Sequence, residues 1–109
     1  MSRATLSRWG KRHQVNHVTV DQARLERSAN PSPSYGQAYL RLKLEGKRWP
    51  ETRLLERRAY LTGLAAEMAP KIEAPPASWT GQGWLERHDE LRGYEGELAA
   101  IEELLATPA

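Results

Sequence analysis

Trp84, Leu91, Leu98 and Leu105 recur at a strict seven-residue interval along the end of the chain, with Tyr94 and Ile101 three residues after the second and third. Apolar positions at that interval form one stripe on one face of an α-helix, and such a stripe demands cover from another helix. A matching stripe precedes it: Leu54, Leu61 and Met68 share the interval, widened by Leu64 and Ala65. The pair predicts an antiparallel helical hairpin, with the same seam (Trp84, Leu91, Tyr94, Leu98, Ile101, Leu105) available for self-association or a protein partner. Gly93 and Gly96 interrupt the second stripe, costing up to ~1 kcal/mol each in a helix interior. Both fall off the seam, so each marks either the close approach of a second backbone or a weak spot.

Start and stop signals set the remaining elements. Pro50 suits a first helical turn, Glu51 complements the helix dipole, and Pro70 predicts the end of that helix. Residues 70–83, "PKIEAPPASWTGQG", then read as a Pro- and Gly-rich connection, long for a helix hairpin, with Ile72 and Trp79 available to pack it down. Upstream, Thr19 and Gln22 form a capping box that predicts a short helix over residues 20–29, stopped by Pro31 and Pro33 in "NPSPS".

Ser34 to Gln37 repeats the capping pattern and predicts a second short helix over residues 35–45, ending near Gly46. In that stretch Leu40, Leu42 and Leu44 alternate with Arg41, Lys43 and Glu45, which is also the period-two pattern of a half-buried strand, with "HVTV" as a possible partner. Good helix formers dominate and β-branched residues are absent, which favours helix. The expected architecture is a mainly α fold: a basic N-terminal arm over residues 1–16, where Leu6 and Trp9 are placed to dock, and a single small helical domain over 17–109. That domain has two short N-terminal helices and a longer C-terminal helical hairpin.

Composition narrows the function classes. A chain of 109 residues is about one domain, and without Phe its core rests on Leu with Trp and Tyr. The absence of Cys excludes a disulfide framework, a thiol nucleophile and a thiolate zinc site, and fits a reducing compartment, so a cytoplasmic protein is expected. No apolar run approaches the ~18 residues of a membrane span, and the first residues lack the apolar core of a secretory signal. His13 and His17 stand four apart without a third ligand nearby, and His88 and Asp89 are helix neighbours pointing about 100° apart. With no Gly-rich phosphate loop and no nucleophile elbow either, neither an enzyme nor a metal or cofactor site is expected.

Charge is unevenly distributed. Through residue 60 the chain carries thirteen Lys and Arg against five Asp and Glu; from residue 61 onward it carries three against nine. A basic half fits a polyanion, and the constellation Arg24, Arg27, Arg41, Lys43, Lys47, Arg48, Arg53, Arg57 and Arg58 supplies candidate phosphate contacts, with Gln37 placed for a base edge. Arg3, Arg8, Lys11 and Arg12 of the arm add a clamp for phosphates or a minor groove.

Two short capped helices around a tight Pro/Ser loop resemble, in outline, a helix-turn-helix, in which the second helix enters the major groove. The fragment "SRATLSRW", residues 2–9, is similar to the recognition-helix end of helix-turn-helix regulators and recombinases. The leading expectation is therefore a small non-enzymatic DNA-binding or DNA-associated accessory protein. The alternative is a protein-binding inhibitor or adaptor of the kind phages and mobile elements employ. It would act through the acidic last helix, which carries Glu86, Asp89, Glu90, Glu95, Glu97, Glu102 and Glu103.

Overall fold

A computed structural model describes residues 18–107, and the expected basic arm over residues 1–16, with His13, and His17 after it lie outside them. The described residues form four helices and no strand: α1 Val20–Ala29, α2 Ser34–Gly46, α3 Glu51–Glu73 and α4 Gly81–Ala106. The mainly α reading holds, and the strand alternative for residues 38–45 gives way to α2. At α1 the capping box is complete: the Thr19 hydroxyl accepts from the Gln22 N–H at 3.1 Å, and the Gln22 side chain accepts from the Thr19 N–H at 2.9 Å.

Three boundaries differ from those the sequence predicts. Pro33, in helical geometry, is itself the N-cap of α2, so Ser34 is the first helical residue and not the cap. The capping hydroxyl comes instead from Ser32, which accepts from the Ser34 N–H at 3.1 Å. Pro70 does not end α3, which continues to Glu73. The proline lacks its own N–H and crowds the preceding turn, but its carbonyl still accepts from Ala74 at 2.9 Å, and tertiary contacts hold the turn that follows. Likewise α4 begins at Gly81, because the Thr80 hydroxyl caps it by accepting from the Gly83 N–H at 3.0 Å. The connection expected over 70–83 therefore shortens to residues 74–80.

Each of the other helices packs on α4. Val18 accepts from the Gly81 N–H at 2.7 Å, Arg27 reaches Asp89, the Tyr35 backbone meets Gly96, and Gly46 lies by Leu104. The chain from Val18 to Gly46 thus runs parallel to α4, with α1 and α2 laid end to end and the "NPSP" break between them. The hairpin partner α3 runs the other way, placing Arg57 at Glu97 and Ile72 at Trp84. The two short helices act together as one interrupted third row, and each packs chiefly on α4, unlike the mutually packed pair of a helix-turn-helix.

Two apolar clusters fill the space between the rows. Leu42, Leu54, Leu61, Ala100 and Ile101 form the larger, with Tyr39, Trp49, Tyr94 and Leu98 against it. Val18, Ala23 and Trp84 form the smaller, with Ile72 and Trp79. A fully buried Leu or Ile such as Leu61 or Ile101 contributes about 1.5–3 kcal/mol. The α3 stripe is buried as its spacing predicts, with Leu54 and Leu61 inside and Leu64, Ala65 and Met68 half-buried.

The glycines of α4 divide between the two readings. A side chain on Gly96 would overlap the Tyr35 carbonyl, so that glycine permits α2 to touch α4. Gly93 has nothing within 4 Å of where a Cβ would stand, and is simply a weak spot in the helix.

Candidate functional site

The basic first half and the acidic last helix pair with each other inside one chain. Arg27 of α1 forks onto Asp89 with bonds of 2.9 and 2.7 Å, and both side chains are largely covered. Burial alone would push the Asp89 carboxyl up, but hydrogen bonds from Arg27 and His88 outweigh it and hold the group below the usual carboxylate range. Arg27 is correspondingly raised, chiefly by its hydrogen bond to Asp89.

Glu97, the buried charged residue in the core layer (8% exposed), accepts from Arg57 at 3.2 and 3.3 Å and from Arg41 at 3.4 Å, so one carboxylate ties α2, α3 and α4 together. Farther along, Arg58 meets Glu102 at 3.1 Å, while Glu103 accepts from Lys43 at 3.1 Å and from the Tyr39 hydroxyl at 2.6 Å. Those bonds lower Glu103, and the Tyr39 phenol is raised by the same contact. Among the described residues no buried side-chain nitrogen or oxygen lacks a hydrogen-bond partner.

Arg24 has a different occupation. Its guanidinium donates to the carbonyls of Ile72 at 3.1 Å and Glu73 at 2.7 Å, satisfying the open end of α3 beyond Pro70. The Trp84 indole N–H also donates to Ile72, at 3.1 Å. These two groups hold the extra turn of α3. His88 stacks on Trp84 with ring centroids 4.9 Å apart, and its Nδ1 meets the Asp89 carboxylate at 3.1 Å although the two are sequence neighbours. Among the described residues no group of three His, Asp or Glu is arranged to hold a metal ion.

Of the candidate phosphate contacts, then, Arg24, Arg27 and Lys43 hold the fold, and Arg41 reaches Glu97 at long range while 58% exposed. Lys47 and Arg48 are exposed and make no ion pair among the described residues. They sit at the elbow between α2 and α3, where Arg53 lies over the Trp49 ring, 3.9 Å from its centroid. Gln37 is exposed on α2. Arg3, Arg8, Lys11 and Arg12 lie outside the described residues. The seam residues serve the chain's own core: Trp84, Leu91 and Ile101 are buried, and Tyr94, Leu98 and Leu105 are half-buried against the larger cluster.

The leucines of α2 divide between two faces, as helix geometry requires of their spacing. In a helix of about 100° per residue, leucines two apart point to opposite sides, so Leu42 cannot share a face with Leu40 and Leu44. Leu42 is buried, while Leu40 and Leu44 are 61% and 69% exposed. No protein-family model, curated protein or solved structure matches this chain.

Proposed function

We propose that the protein is a small non-enzymatic nucleic-acid accessory protein. It contacts phosphates through the cations that its internal ion pairs leave over. The observation that carries this reading is the exposed, unpaired Lys47 and Arg48 at the α2–α3 elbow, next to Trp49 with Arg53 over its ring. Residues 18–109 carry twelve Lys and Arg against fourteen Asp and Glu, so attraction to a polyanion must be local and not spread over the body. The first seventeen residues carry Arg3, Arg8, Lys11 and Arg12 with no acid, and supply a second phosphate-binding segment. Gln37, on the outward side of α2, is the group for a base edge.

The test is fluorescence anisotropy of a labelled random duplex at several salt concentrations. Each neutralised phosphate contributes about −0.9 to the log–log salt slope, so Lys47→Glu with Arg48→Glu should weaken binding to every sequence and reduce the slope by roughly 2. Deleting residues 1–16 should reduce it further without unfolding the helices. Undiminished affinity in the elbow variant removes the elbow from the interface, and no binding at low salt removes the nucleic-acid reading altogether.

A further inference from the structure

We infer that the outward face of α2 is a docking site for an acidic amphipathic helix of another protein, seated on Leu40 and Leu44. This goes beyond the phosphate reading and stands without it. The two leucines are four residues apart, about 40° around the helix, and form a short apolar row that nothing in the described chain covers. Leu25, exposed to a similar degree on α1, stands alone.

Cations stand along the row and beyond its end. Arg41 lies on the helix between the two leucines in sequence, and Lys47 and Arg48 follow in the turn after Gly46, all exposed. An apolar stripe edged by charge of one sign is the receptor half of helix-in-groove recognition, in which leucine-type anchors give affinity and the flanks choose the partner.

Charge decides between occupants. A second copy, meeting face to face, would set Arg41, Lys47 and Arg48 against their own counterparts. Residues 3–12 of this chain bring more cations and no carboxylate. A helix with apolar residues at i and i+4 and carboxylates on its flanks sets opposite charge against Arg41, Lys47 and Arg48. The chain's own acidic helix, α4, is not free to supply it, since Asp89, Glu97, Glu102 and Glu103 are engaged with Arg27, Arg41, Arg57, Arg58 and Lys43.

The experiment uses the full chain and a labelled helical peptide of about 15 residues, with leucines on one face and glutamates on its flanks. A scrambled peptide of the same composition is the control. Saturable binding of the amphipathic peptide alone is expected, at least about tenfold weaker for Leu40→Gln with Leu44→Gln at unchanged circular dichroism. Duplex binding should be the same for that variant and the parent chain, because Lys47 and Arg48, shared by the two surfaces, contact phosphates and the leucines do not. Failure of the amphipathic peptide to bind, equal binding of the scrambled peptide, or indifference to the leucine variant overturns the proposal. Leucine-dependent dimerisation in light scattering would give the face to a second copy, and leucine-dependent binding to anionic vesicles would give it to a lipid surface; either also overturns it.

Discussion

Helix α4 and the stretch from α2 through the α2–α3 elbow carry charge of opposite sign, and the fold treats them differently. On α4, Asp89, Glu97, Glu102 and Glu103 take cations from the first half of the chain, while Glu90 and Glu95 meet Arg87 and Arg92 of their own helix. On α2, Lys43 reaches back to Glu103 of α4, whereas Lys47 and Arg48, in the elbow just past the helix end, are exposed and unpaired among the described residues. Segregation of charge along a sequence is therefore not segregation on the surface. Here cations of the first half and carboxylates of α4 pair across the bundle, and the elbow cations Lys47 and Arg48 are left facing outward.

The sharpest way to break this contrast is to push α2 off α4. Gly96→Ala should cost about 1–3 kcal/mol in urea denaturation, because its methyl group meets the Tyr35 carbonyl. Gly93→Ala, one turn away in open space, should stabilise by about 0.5–1 kcal/mol. Equal effects of the two would mean that α2 does not approach α4 at Gly96.

Glu97→Gln keeps the shape but removes the charge that joins Arg41 and Arg57, and should cost about 1–2 kcal/mol. Asp89 gives the acid limb. Its folded-state pKa lies below the ordinary carboxylate value of about 4, so its contribution is present above that pH and is lost as pH falls through the folded value. Thermal stability should therefore drop on acidification below about pH 4, with a smaller drop in Asp89→Asn. Leu40→Gln with Leu44→Gln, on the outward side, should change stability by less than about 0.5 kcal/mol. A larger loss would place those leucines inside the fold.

The sequence made local features legible. The Thr19–Gln22 box, the "NPSP" break and the seven-residue stripes depend on residues a turn or two apart, and all appear where expected. Pro70 misled because local rules count a lost N–H and a steric clash, whereas the turn after it is held by Arg24 and Trp84 from far along the chain. The same distance hid the fate of the cations. Arg27 and Asp89 are 62 residues apart, and Arg57 and Glu97 are 40 apart, so no periodicity connects them. Leu40 and Leu44 were legible in principle, since alternating leucines in a helix must divide between two faces.

The most direct measurement is a charge-swap cycle at the Arg27–Asp89 fork: urea denaturation of Arg27→Asp, Asp89→Arg and the double swap. If the two halves of the chain hold each other, each single variant is destabilised by like charges meeting and the double recovers, with a coupling of about 1–2 kcal/mol. Additive losses, with no recovery in the double swap, would show that the halves do not neutralise each other here and that these cations are free for a partner.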